Sequence, residues 1–191
     1  MVFMAWLKAV QSILLYNIIR SFAPHTNTTT MKKDKSTSPL GFEPEETERC
    51  VELLNELLCN LQVHYQKLKN FHWNVEGGDF YDLHEQFQKG YKAVEGQIDE
   101  IAERIRILGL RPMSRMSDYL KHSNIEEAGA DLSATEMVKE IINDYEILLS
   151  YMIEAIEHAD ATADLSTSLL ITEFMRQTEK SHWMLTSFSK K

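Results

Sequence analysis

Leu53, Leu54, Leu57, Leu58, Leu61, Tyr65 and Leu68 recur at steps of three and four. That spacing lines one face of an α-helix; strand side chains alternate with a period of two and cannot use it. A stripe this wide must be buried against another element, so the chain needs at least one more packed layer. Only seven Gly and four Pro punctuate 191 residues, too few for a sandwich of short strands, so the partners are expected to be helices as well. At 43% hydrophobic residues, with three Trp, seven Tyr and eight Phe, there is material for a substantial core.

The pattern predicts four long helices. The first runs from about Glu45 to Asn74, with Pro44 and the acidic pair Glu45-Glu46 in its opening turn, and Glu76-Gly77-Gly78-Asp79 ends it. A second spans about Tyr81 to Leu108 and is closed by Gly109 as a left-handed cap. Arg111-Pro112 opens a long connection that holds a short helix, Ser117 to His122. Ser133 with Glu136 is a capping box that starts a third helix, reaching about Ala159; Asp160 to Ala163 is a break, and a fourth helix reaches about Ser187. The fold expected is an all-α four-helix bundle over residues 44–188, with a short helix in the long crossover between the second and third helices.

Residues 1–43 are expected to be an extension, mobile or dispensable. Residues 1–30 carry Lys8 and Arg20 but no acid, and an apolar stretch from Ala9 to Ile19 interrupted by Gln11, Ser12 and Asn17. Those interruptions break any membrane-length window. An over-extended start with Met31 as the working one, an export signal ending near Ala23, and a membrane-surface helix are the three readings of this segment. The formal charge of −9 disfavours a basic nucleic-acid domain and favours cations as partners. Cys50 and Cys59 lie on opposite faces of one helix, about 13 Å apart along its axis, too far to bridge. With no disulfide framework, a reducing, cytoplasmic setting is expected.

Chemistry concentrates in three places: Phe71-His72-Trp73-Asn74-Val75, His84-Glu85 with Gln88, and Asp99-Glu100-Ile101-Ala102-Glu103-Arg104. Imidazole and carboxylate suit iron, manganese and zinc, and residues four apart share a helix face, as Asp99 and Glu103 do, and His84 and Gln88. Each cluster also has a structural reading. His72 can be a hydrogen-bonded core histidine, Asp99 and Glu103 a solvated acidic face, Glu100 and Arg104 an ordinary i,i+4 ion pair, and Trp73, Phe80 and Tyr81 core aromatics. His84 and Asp99, fifteen residues apart, are separated by about 22 Å along an intact helix and cannot bind one ion within a single chain. Two antiparallel copies of that helix, crossing near the small residues Gly90, Ala93 and Gly96, would join His84 of one chain to Asp99 and Glu103 of the other. A single site therefore implies a two-fold dimer.

The stretch from His72 to Gly109, His-Trp-Asn-Val-x-Gly-x-x-Phe-x-x-Leu-His-Glu followed by Asp-Glu-Ile-Ala-Glu-Arg-Ile-x-x-Leu-Gly, resembles the Dps family, the DNA-protecting mini-ferritins of the ferritin-like superfamily. The resemblance covers about residues 45–188. It implies a dodecameric hollow shell built from two-fold dimers, which oxidises Fe(II), preferentially with hydrogen peroxide, stores Fe(III) inside and so spares DNA. Carried over to this chain, His72 and His84 would be iron ligands from one subunit and Asp99 and Glu103 ligands from its partner. Trp73 would stand beside the iron as an electron donor, and Asp160 and Asp164 would line the entry pores. Gln88 departs from the pattern, since an Asp or Glu is usual four residues after His84; a neutral amide is a weaker ligand and should weaken one iron position.

Three other readings compete. A structural shell that binds or compacts DNA would use the basic tail Lys32, Lys33 and Lys35 with Lys190-Lys191. A bacterioferritin-like or oxygenase-type di-metal bundle needs a Glu-x-x-His motif on each of two helices. The chain offers only Glu179 with His182, beside Trp183, at the end of a helix. A plain helical scaffold would have histidines that serve structure alone.

Overall fold

The computed structural model describes residues 40–190. The expectations for residues 1–39, including the three readings of the N-terminal segment and the Lys32, Lys33 and Lys35 tail, lie outside the described residues. Among them there are five helices and no strand: α1 (Pro44–Asn74), α2 (Phe80–Ile107), the short α3 (Met116–His122), α4 (Ala134–Ala161) and α5 (Leu165–Phe188). α1 packs on α2, α4 and α3, and α4 packs on α5. No helix among the described residues is long and apolar enough to cross a membrane.

The termini follow local chemistry. Pro44 sits in the first turn of α1, where its missing N–H costs nothing. Gly109, at φ +90°, closes α2: its N–H donates to the Arg106 carbonyl and that of Leu110 to the Ile105 carbonyl, a Schellman pair. At α4 the Ser133 hydroxyl accepts from the Glu136 N–H at 3.3 Å, while the Ser133 N–H donates to the Glu136 carboxylate at 2.8 Å. One boundary moves. α4 continues through Asp160 to Ala161, and the turn is Thr162 to Asp164, with Ala163 at φ +57°.

The apolar stripe of α1 is the centre of the core: Leu54, Leu57 and Leu61 are fully buried, joined by Phe71, Phe87, Ile101, Ile105, Met137 and Ile141. Both cysteines are buried and free, and burial pushes each thiol up to about 11. Neither offers a thiolate at neutral pH. Gly90 has a reason within the chain: an added Cβ would come within 3.3 Å of Leu68. Of the three small residues expected at a two-fold crossing, Gly90 is therefore accounted for by the bundle, and Ala93 and Gly96 remain exposed.

A charged network crosses this core. Asp144 on α4 accepts from Lys67 Nζ at 2.7 Å and from His64 Nδ1 at 2.8 Å, all three side chains being almost wholly buried. Glu140 lies 3.4 Å from the same ammonium. Removing one partner of a buried pair strands the other charge, which costs about 3–5 kcal/mol. Asp144→Ala is expected to lower the free energy of unfolding by that order in urea titration. A loss comparable to that of an exposed carboxylate would show that the network does not secure α4 to α1.

Candidate metal centre

The turn Val75–Asp79 brings the last turn of α1 against the second turn of α2, and with them His72 and His84. The two imidazoles bond each other's backbone. His72 Nδ1 lies 2.8 Å from the His84 carbonyl oxygen, and His84 Nδ1 lies 2.8 Å from the His72 carbonyl oxygen. A carbonyl only accepts, so each Nδ1 carries the proton and donates it; in the neutral ring the lone pair is then on Nε2. This is the arrangement of a metal-ligating histidine whose far nitrogen is fixed by a backbone carbonyl. The rings stack at 3.9 Å between centroids, with Phe80 stacked on His84 at 5.0 Å and Tyr91 steeply inclined to His72 at 5.5 Å, both between centroids. Packing and hydrogen bonds together set ring orientation before any cation arrives.

Gln88, one turn after His84, donates from Nε2 to the Tyr91 hydroxyl at 3.4 Å. Asp99 and Glu103 are exposed on the same helix. α2 is unbroken from Phe80 to Ile107, so the separation of about 22 Å between His84 and Asp99 holds. At about 100° per residue, His84, Gln88, Asp99 and Glu103 fall within a 100° arc around the axis. Among the described residues, no group of three or more His, Cys, Asp or Glu side chains is gathered tightly enough to hold a metal ion. One chain thus carries imidazoles near one end of a helix face and carboxylates near the other.

Other expected residues are placed differently. Trp73 is 60% exposed, with the Lys69 ammonium 5.4 Å from its ring centroid. Arg104 does not pair with Glu100. It turns inward, where Nη2 reaches Asp164 at 2.6 Å and Nε reaches the Thr167 hydroxyl at 2.8 Å. Asp164 also caps α5, accepting from the Thr167 N–H at 3.1 Å and its hydroxyl at 2.6 Å. Only 3% exposed in the single chain, its carboxylate is committed to Arg104 and Thr167. Asp160 is exposed and accepts from Ser168 at 2.6 Å. His182 lies 3.4 Å from Glu146, a pair that links α5 to the middle of α4. Tyr91 was not singled out in the sequence, because an aromatic at a helical core spacing carries no local sign of what it packs against.

These features have relatives. A family model described as a ferritin-like domain matches residues 51–191. DNA protection during starvation protein 2 of Bacillus anthracis is 39% identical over 141 residues, covering 74% of this chain and 97% of that protein. The chain belongs to the Dps family. Among solved Dps structures, that from Vibrio cholerae O1 superposes with a TM-score of 0.78 at 34% identity, covering 81% of this chain and 97% of that one. The Dps protein from Bacillus brevis gives 0.74 at 36% identity, covering 76% and 98%. The all-α ferritin-like fold expected from the sequence is therefore the fold of this Dps chain.

The Arg104–Asp164 pair sets an acid limit. Burial raises the Asp164 carboxyl, but the bonds from Arg104 and Thr167 outweigh it and the net shift is downward. A carboxyl depressed on folding contributes stability that is full above its unfolded value, about pH 4, and is lost as pH falls through the folded value. Asp164→Asn is expected to be less stable at neutral pH and to lose less on acidification below about pH 4 than the parent. Urea midpoints at a series of pH values measure this; parallel curves would remove Asp164 from the acid response.

Proposed function

We propose that this protein is a ferroxidase that takes Fe(II) and hydrogen peroxide as substrates and stores Fe(III) in a hollow, dodecameric shell built from two-fold dimers, protecting DNA. The single observation that carries this reading is the pair of imidazoles held by reciprocal Nδ1 bonds, with Nε2 presented as a ligand. His72 and His84 of one subunit and Asp99 and Glu103 of its partner form the iron site. The donor set fits: imidazole with carboxylate suits iron, and carboxylates supply the charge a growing Fe(III) centre requires. Relatives named for DNA protection during starvation and a structural neighbour described as belonging to the ferritin-like diiron-carboxylate proteins support an iron-handling, DNA-sparing role. Assembly is supported by large apolar side chains left exposed on the single chain, Trp73, Leu165, Leu169 and Trp183 among them. The site is filled from solution by steering through an acidic surface. The free, buried thiols suit the cytoplasm.

The alternative of a DNA-compacting shell with a weakened metal centre draws only on Lys190 among the described residues, and the acidic balance opposes it. DNA is protected in this reading by consuming Fe(II) and peroxide together, without a direct grip on the duplex.

The inter-subunit site has a decisive test. His84→Ala and Glu103→Ala homo-assemblies should each lose rapid Fe(II) oxidation. In a heterodimer of the two, one site carries both lesions and the other carries none, because each site draws its imidazoles and carboxylates from different chains. Shells co-assembled from equal amounts are therefore expected to recover about a quarter of the parent's sites with random pairing. If each site belonged to one chain, co-assembly would recover nothing.

Gln88 tunes this centre. Its amide supplies no charge where a carboxylate would, so one iron position is weak and the other strong. Gln88→Glu should tighten the weak position, raising the number of Fe(II) bound per site in anaerobic titration. Identical isotherms for the two proteins would remove Gln88 from the iron site.

A further inference from the structure

Gln88 leaves the weaker iron position one carboxylate short, and α2 carries a carboxylate that none of the roles above uses. We infer that Glu95 of the partner subunit supplies the charge that Gln88 withholds, as a ligand to Fe(II) at that position. The inference rests on the ferroxidase reading above and adds a residue to its site.

Helix geometry places Glu95. With His84 at 0° and about 100° per residue, Glu95 falls at about 20°, between His84 and Gln88 and inside the arc shared with Asp99 and Glu103. α2 is unbroken across all of them. Glu95 lies eleven residues after His84, about 17 Å along the axis, so it cannot reach the imidazoles of its own chain. In the antiparallel pairing, setting His84 level with the midpoint of the partner's Asp99 and Glu103 sets Gln88 level with position 97. Glu95 of the partner subunit then stands about 3 Å from Gln88 along the axis, within the reach of a glutamate side chain.

The contacts of Glu95 are those of a positioned ligand. The Tyr65 hydroxyl donates to Glu95 Oε1 at 3.3 Å, and among the described residues Oε2 has no partner; hydrogen bonds of this kind orient ligating carboxylates. Tyr65 packs edge-on to Tyr91 at 6.1 Å, and the Tyr91 hydroxyl accepts from the Gln88 amide at 3.4 Å, so one aromatic brace positions both residues. Glu95, Asp99 and Glu103 are exposed at successive steps of four. Among the described residues none of the three enters an ion pair, whereas Glu85 on the same helix binds Lys89 at 2.7 Å. Like charges at that spacing oppose the helix, and a bound cation removes the repulsion. On the imidazole side, His72 is only 8% exposed, and its Nε2 has no hydrogen-bond partner among the described residues. The weaker position thus keeps a carboxylate, drawn from the other chain.

The experiment is an anaerobic Fe(II) titration of the assembled full-length protein, with the assembly of each variant sized beforehand. The parent should show a strong binding step and a weaker one. Glu95→Gln should lose the weaker step and keep the strong one. Adding Gln88→Glu to that variant should restore the weaker step, because the carboxylate returns from the other side of the interface. Tyr65→Phe should weaken that step without abolishing it. Glu100→Gln, which removes an exposed carboxylate of α2 outside the arc, should leave both steps unchanged. A Glu95→Gln isotherm identical to the parent's overturns the inference and leaves the ferroxidase reading standing. An equal loss in Glu100→Gln also overturns it, by making the effect one of net charge, as does a double variant that still lacks the weaker step. Loss of assembly in Glu95→Gln overturns it too, since removing a ligand should empty a position and not break the shell. A parent that binds no Fe(II) overturns the ferroxidase reading and the inference with it.

Discussion

An unbroken helix cannot bring its own ends together, and α2 carries an imidazole near one end of a face and two carboxylates near the other. Its 28 residues hold this separation by backbone hydrogen bonding alone. Everything proposed about the iron site descends from that rigidity. A bundle that kept both halves of a centre within one subunit would need them on different helices at one level, as in proteins with paired Glu-x-x-His motifs. Here the halves lie at different levels of one helix, so symmetry has to do what the chain cannot.

The bundle interior supports this arrangement with charge as well as hydrocarbon. His64, Lys67 and Asp144 tie α1 to α4. Arg104 and Asp164 tie α2 to the start of α5. Both networks join helices that flank the imidazole pair or carry the carboxylates. Buried ion pairs are poor sources of net stability, but breaking them is costly, which disfavours alternative registers of the helices. A fixed register matters because a displacement of one turn along α2 moves the carboxylates by about 5 Å, out of reach of a shared ion.

At the proposed centre, Gln88 would give an asymmetry that a pair of equivalent iron positions would lack. Its amide also bonds the Tyr91 hydroxyl, whose ring packs against His72.

Helix identities, most boundaries, the caps at Ser133 and Gly109, and the impossibility of a one-chain site were legible in the sequence, because periodicity, capping chemistry and helix rise are local properties. Where local rules failed, a long-range partner had intervened. Glu100 sits four residues before Arg104, yet the guanidinium turns to Asp164, sixty positions away, where it completes a buried, hydrogen-bonded pair. The same contact withdraws Asp164 from the surface, a fate its position beside a turn did not reveal. Gly90 is small for Leu68, a neighbour on another helix. The pairing of His72 with His84 through each other's carbonyls, and the place of Tyr91 against them, also belong to the tertiary structure alone. Sequence by itself determined which helices form and which residues can share a face, since those follow from repeat and rise along one chain; only tertiary structure decided which polar groups face each other, because that depends on how separate helices pack.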